Sequence, residues 1–167
     1  MGESKSHKVY IALGTNLGNR LENLKTAIKL LPPAVRVKKV SPVYETPPWG
    51  YLNQADFLNQ VLEAETRLTP EGLLVYLKDL EVQIGRRESF KYGPRIIDLD
   101  ILFYDDLILE TATLSIPHPK MHERAFVLVP LADINPDLRH PKVGRTVQDL
   151  LGRTDQGGIH LYQEGAN

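Results

Sequence analysis

Between Lys8 and Tyr104 the hydrophobic spacing switches repeatedly between the two-residue period of a strand and the 3.6-residue period of a helix, and the order of the switches admits few folds. Lys8 to Leu13 (KVYIAL) is a short β-rich run that meets Gly14, and GTNLGN then breaks the pattern. In RLENLKTAIKLL, Leu21, Leu24, Ile28 and Leu31 fall on one stripe, and Pro32 with Pro33 stops the helix. Val35 to Tyr44 reads as a strand interrupted at Pro42, at an edge or bulge, and Asp56 to Thr66 as another strand. Thr69 then offers an N-cap, Pro70 a first helical residue, Leu73, Leu77, Leu80 and Ile84 a helical stripe, and Gly85 a C-terminal stop. After the polar loop RRESFKYGPR comes the strongly β segment RIIDLDILFY, with a hairpin expected at Asp105-Asp106 leading into LILE. HERAFVLVPLADI suggests a helix perturbed at Pro130, and Thr146 to Leu151 a short last helix. Strand, helix, strand, strand, helix, strand is the order of an α+β ferredoxin-like sandwich, a largely antiparallel sheet flanked by helices that lie mostly on one face.

The 167 residues suit a single domain spanning 1–167. There is no cysteine, which excludes a disulfide framework and thiolate chemistry, so catalysis must come from carboxylates, imidazoles, basic groups or bound ions. Twenty Lys plus Arg against 21 Asp plus Glu leaves a net charge of −1, without the basic excess of a nonspecific nucleic-acid binder. No apolar run approaches the ~18–20 residues of a membrane span, and the start, MGESKSHK, is polar. A cytoplasmic monomer with neither nucleic-acid nor membrane partners is expected.

Asp98-Leu99-Asp100 is the sharpest chemical signal, because alternation along a strand sends both carboxylates to one face. Ile97, Leu99, Ile101 and Phe103 are expected on the other face. Such a pair suits hard divalent cations, and magnesium takes one or two carboxylates while water and phosphate fill its other positions. A bare pair of strand acids is ordinarily just solvated, but this one follows Arg86, Arg87, Lys91 and Arg95 on a Gly/Pro-bounded loop. Cations beside metal-binding acids suit a triphosphate. Phe57 and Asn59 alternate onto one face, and a ring plus an amide that both donates and accepts suits a flat, hydrogen-bonding heterocycle. Trp49, the sole tryptophan, sits on a loop between Pro48 and Gly50, as a lid or a plug. His118 and His122 have helical spacing, but Pro119 separates them and no third zinc ligand presents itself. The glycines of GTNLGN fit neither a dinucleotide nor a Walker fingerprint and are assigned to the turn.

TPPWG, DFLNQV, EVQIGRR, KYGPRIIDLDIL, IPHPKMHERAFVLVPL and the opening ALGTNLGN together resemble the 6-hydroxymethyl-7,8-dihydropterin pyrophosphokinase family, in order from about Val9 to Leu151. The resemblance implies pyrophosphoryl transfer from ATP to the hydroxymethyl group of the reduced pterin, with release of AMP, in folate biosynthesis. It implies two magnesium ions on Asp98 and Asp100, with Arg86 and Arg95 contacting phosphate and Arg86 stabilising the transition state. Glu81, Ile101, Ser115, His118 and Arg124 fall at ATP-site positions. Phe57 and Phe126 match the rings that sandwich the pterin, Asn59 the amide that reads its edge, and Thr46, Trp49 and Tyr92 further substrate contacts. The loops at 46–55 and 86–95 would close over the substrates. Departures from the family pattern are Glu88, Lys91, Tyr92 and Pro119, where another basic residue, an arginine, a tryptophan and a tyrosine are often found. Two other classes share the scaffold: a palm-like two-metal nucleotidyl transferase, which would release pyrophosphate, and a noncatalytic RNA-binding module, which would need exposed aromatics and a basic face.

Overall fold

A computed structural model of the chain describes residues 5–85 and 89–163. Its main sheet contains β1 (His7–Thr15), β2 (Val35–Val40), β3 (Tyr44–Thr46), β4 (Phe57–Thr66), β5 (Asp98–Tyr104) and the short β8 (His160–Leu161). The order is β5-β1-β4-β3-β8, with β2 also on β4, and every pairing is antiparallel. The break expected at Pro42 divides one β4 edge in two: β2 takes Leu62 to Thr66 and β3 takes Phe57 to Asn59. Ser41 bridges the gap, its N–H donating to the Val61 carbonyl and its hydroxyl accepting from the Val61 N–H, both at 2.9 Å. The unsatisfied ladder groups at the proline are thereby spared burial without partners.

Helix α1 (Arg20–Leu30) starts where the Asn19 side chain accepts from the Glu22 N–H, and α2 (Pro70–Ile84) where Thr69 accepts from the Gly72 N–H. Gly85 closes α2 in the left-handed region at φ 117°, which costs glycine no Cβ clash. These two helices press Leu24, Ala27, Leu73, Leu77 and Leu80 onto Val9, Ile11, Leu13, Leu58, Leu62, Leu99 and Ile101. The helices do not gather mostly on one face. α3 (Ala125–Ile134) and α4 (Val147–Gly152) cover the other, burying Val127, Leu128, Leu131, Val147 and Leu150 against Tyr10, Val61, Leu102 and Phe103. The central strands carry apolar residues on both sides and so require both layers.

Phe103 was expected on the face opposite the two acids; it lies on theirs. Tyr10 pairs with Phe103 while Ile11 pairs with Ile101, so Leu102 is an extra residue, a β-bulge. The bulge shifts the alternation by one, so that Leu102 and Phe103 both enter the second core and Tyr104 returns to the first. The strand starts at Asp98, not Arg95, because the Arg95 backbone is taken up by Asn16: its carbonyl accepts from the Asn16 N–H at 2.9 Å, and its N–H donates to Asn16 Oδ1 at 2.8 Å.

The hairpin from β5 into LILE does not form. Asp105 turns the chain at φ 49° and accepts from the Lys8 N–H at 2.9 Å, and the exit leads to β6 (Leu109–Glu110), which pairs with β7 (Ser115–Ile116) in a separate two-stranded sheet. The β5 carbonyl at Leu102 is met by the His118 N–H at 3.1 Å instead. The helix expected from His122 begins later: Met121–Glu123 is a 3₁₀ turn, Arg124 is extended, and α3 follows. Pro130 lies inside α3, where the fully buried Leu128 and Leu131 hold the helix against the missing N–H.

Candidate active site

On the second face, α3 and α4 cover only one end of the sheet. At the other end Gly14 of β1 lies between Asn59 of β4 and Asp98 of β5, and Ala12 faces Asp100. This end opens into a cleft of about 300 Å³. Asp98 and Asp100 share its floor, as alternation requires. Thr46, Trp49, Phe57, Asn59, Tyr92 and Phe126 line it together with Arg95 and Arg124, so ten of the expected residues meet in one place.

One end of the cleft is aromatic and amide-bearing. Asn59 Nδ2 donates to the Thr46 hydroxyl at 2.6 Å, which orients the amide and leaves its carbonyl and second N–H for a ligand. Gly14 matters here as space rather than as turn: a Cβ on it would stand 3.0 Å from Asn59 Oδ1 and 3.7 Å from the Phe57 ring. Only Gly18, at φ 71°, serves the turn assigned to both glycines.

The other end is ionic. Arg95 Nε lies 3.6 Å from Asp98 Oδ1, and its Nη atoms donate to the carbonyls of Phe90, Gly93 and Pro94, each at 3.0 Å. A phosphate gripped by Arg95 must draw these donors away from their own loop. Lys91, one of the loop cations expected beside the acids, and Lys78, which the sequence did not single out, add two cations to the lining. The Arg124 guanidinium sits 4.6 Å from the Trp49 ring centroid and 5.5 Å from that of Phe126. Burial pulls its pKa down, and the Asp100 carboxylate opposes that shift.

Glu81, Ile101, Ser115 and His118 lie outside the lining. Glu81 is 1% exposed beneath the floor, where Oε2 accepts from the Leu99 N–H at 2.7 Å and both oxygens stand 3.3 Å from Lys78 Nζ, so it braces the strand between the two acids. Ile101 faces the α1/α2 core, and Ser115 pairs with Glu110 in the small sheet. His118 stands within electrostatic reach of the Asp100 carboxylate. Burial lowers its pKa while the Asp100 carboxylate raises it, and Nδ1 accepts from the Lys120 N–H at 3.2 Å, which puts the ring proton on Nε2. Arg86, with Arg87 and Glu88, lies outside the described residues.

Asn16 and Gln54 were missed in the sequence. Asn16 is 4% exposed, and besides holding Arg95 it donates through Nδ2 to Gln54 Oε1 and to the Ala55 carbonyl, both at 2.9 Å. Gln54 in turn donates to the carbonyls of Tyr51 and Tyr92. A strand-to-turn asparagine beside glycines gives little outward sign of such a hub, since asparagine is common in turns for local reasons.

The family model described as 7,8-dihydro-6-hydroxymethylpterin-pyrophosphokinase matches residues 10–136. The 2-amino-4-hydroxy-6-hydroxymethyldihydropteridine pyrophosphokinase of Aquifex aeolicus is 45% identical over 133 residues, covering 80% of this chain and 83% of that protein. Its Bacillus subtilis counterpart is 42% identical over 93% of this chain and 90% of its own length. The folic acid synthesis protein fol1 of Schizosaccharomyces pombe is 41% identical over 99% of this chain, which spans 23% of that longer protein. Among solved structures, a Plasmodium falciparum HPPK-DHPS chain superposes with a TM-score of 0.75 at 19% identity, covering 90% of this chain and 46% of its own, a likeness of fold. This chain belongs to the 7,8-dihydro-6-hydroxymethylpterin-pyrophosphokinase family.

Proposed function

We propose that the protein transfers the pyrophosphoryl group of ATP to the hydroxymethyl oxygen of 6-hydroxymethyl-7,8-dihydropterin, giving AMP and the dihydropterin pyrophosphate. The observation that carries this reading is the joining of two unlike ends in one cleft, an aromatic and amide end at Phe57, Asn59 and Phe126 and a carboxylate and cation end at Asp98, Asp100 and Arg124. Phe57 and Phe126 would stack on the pterin, and Asn59, fixed by Thr46, would read its hydrogen-bonding edge. The hydroxymethyl group would then project toward the acids, where the triphosphate lies. The hydroxyl oxygen forms a bond to the β-phosphorus, the bond from that phosphorus to the α–β bridging oxygen breaks, and the oxygen leaves with AMP. The hydroxyl proton is lost to solvent.

Asp98 and Asp100 fit magnesium. They offer hard oxygen donors, and no group of three or more His, Cys, Asp and Glu side chains placed to hold an ion occurs among the described residues. Asp98 and Asp100 would hold two such ions in the arrangement we propose. Bound magnesium supplies positive charge that neutralises the triphosphate. The chain's own part is positional: Asp98 and Asp100 would hold the ions at the floor, Arg124 and Arg95 add donors for phosphate oxygens, and Arg86, carried over from the family pattern, would meet the charge that develops in transfer. Trp49 and Tyr92 exclude water from the cleft mouth.

Incubation with ATP, magnesium and the hydroxymethyl dihydropterin, followed by separation of adenine nucleotides, tests the reading. AMP should appear only when the pterin is present. ADP would mean transfer of one phosphoryl group, and free pyrophosphate would mean nucleotidyl transfer; either overturns the proposal.

A further inference from the structure

Two loops meet across the mouth of the cleft, residues 46–55 and 89–95, at Tyr92 and again where Tyr51 and Phe90 stand edge to face with centroids 4.9 Å apart. The Trp49 and Tyr92 rings stand edge to face with centroids 4.9 Å apart. Gly50, at φ 86°, passes so close beneath the Tyr92 ring that a Cβ on it would lie 2.6 Å from Cδ2. Gln54 Nε2 donates to the Tyr92 carbonyl at 2.6 Å. Tyr92 itself has φ 61°, a conformation that a residue other than glycine keeps only where its surroundings hold it.

A third segment reaches this point. Lys120, between β7 and the 3₁₀ turn, extends its ammonium to the Tyr92 hydroxyl, with Nζ donating at 2.7 Å. The same nitrogen lies 5.3 Å from the Trp49 ring centroid and 5.4 Å from that of Tyr92, so one cation lies over the rings of both loops. Lys91, also over Tyr92 at 5.2 Å, belongs to the same loop as the ring and cannot join the two loops. The Lys120 ammonium also holds the Tyr92 phenol below its ordinary range.

We propose that Lys120 is a positioning residue: it pins Tyr92 against Trp49 and so holds the two loops together over the substrate cleft. This rests on the function proposed above. A cation shared by two aromatic rings gains from both, and losing it loosens the joint, which Gln54 on the Tyr92 carbonyl, the ring pair of Tyr51 and Phe90, and Arg124 over Trp49 still hold in part. The hydroxyl of Tyr92 is the specific handle, because a phenylalanine there would keep the ring and lose the hydrogen bond.

The test is a cycle of Lys120→Met, Tyr92→Phe and the double variant, with Lys120→Arg as the conservative control. Acrylamide quenching of Trp49, the only tryptophan, reports loop opening without turnover. Lys120→Met and Tyr92→Phe should each raise the quenching constant by about twofold and the KM for the pterin by about fivefold, with kcat changed less than twofold, as expected when the ground and transition states are weakened equally. The double variant should fall short of the sum of the two single effects, any excess over Lys120→Met coming from the Arg124 contact of the Tyr92 hydroxyl, and Lys120→Arg should restore both readouts. Additive effects in the double variant, or a kinetic loss with unchanged quenching, would overturn the proposal, the second by placing Lys120 directly on substrate. Quenching is read without substrate, so it tests the latch even in a protein that lacks the proposed activity.

Discussion

The second face of the sheet has two ends built from the same three strands. At the covered end, Tyr10, Val61 and Phe103 are sealed under α3 and α4; the Tyr10 hydroxyl donates to Glu63 at 2.6 Å and accepts from Asn135 at 3.1 Å, while His140, packed on the Phe103 ring, keeps Nε2 buried without a partner. Burial and the Glu63 carboxylate push the Tyr10 phenol up to about 12. At the open end, two to five residues along these strands, Asn59, Asp98 and Asp100 carry donors and acceptors that line a cleft. Strand alternation treats the two ends alike; the reach of the covering helices separates them. One end becomes core because α3 and α4 seal it, and the other becomes a site because its carboxylates and amide line a cleft that these helices do not reach.

The largest effect that would break this division is at the floor of the cleft. Asp98→Ala or Asp100→Ala should lower kcat by at least about 10³-fold, the scale on which preorganised charge contributes, while the melting temperature stays near that of the parent. A comparable loss of stability would mean that the acids belong to the core. The mirror experiment is Phe103→Ala, 1% exposed, which should cost about 3–5 kcal/mol in denaturant unfolding and leave kcat of the folded fraction nearly intact.

Smaller effects sharpen the map of the open end. Asn59→Ala should raise the KM for the pterin by about 10- to 100-fold, since removing one partner of a buried hydrogen bond costs about 1–3 kcal/mol. Gly14→Ala should weaken the pterin by about tenfold, or about 1.4 kcal/mol, by crowding the Asn59 amide, with little change for ATP. The smallest effect concerns acid. Arg20, 2.7 Å from Glu45, holds the Glu45 carboxyl below its usual range, so the pair's stabilisation of β3 is present above the unfolded carboxylate pKa and fades as pH falls through the lowered one. Glu45→Gln should remove that part of the acid sensitivity in thermal melts taken between neutral and acidic pH.

Elements whose signal is local were legible from sequence. Thr69, Pro70 and Gly85 delimit α2 where the structure has it, and Asp98 with Asp100 required only alternation to be placed together. What depended on a partner strand was not legible. The Leu102 bulge that turns Phe103 toward the acids exists only in the register with Tyr10 and Ile11, and the failed hairpin depends on Asp105 reaching back to β1. Glu81 shows the same limit: at a position matched to nucleotide contact it braces the Leu99 backbone from below, a role set by the packing of α2 on β5. Asn16 and Lys120 act through residues some 79 and 28 positions away, at Arg95 and Tyr92, and nothing in their neighbours along the chain marks them.

The direct measurement is calorimetric titration of magnesium into the protein with a nonhydrolysable ATP analogue bound, compared with the Asp98→Asn/Asp100→Asn variant, which keeps the side-chain shapes and removes both charges. Saturable uptake of two ions by the parent, lost in the variant, is the expected result. Uptake undiminished in the variant, or no uptake by the parent, would contradict the assignment of these carboxylates.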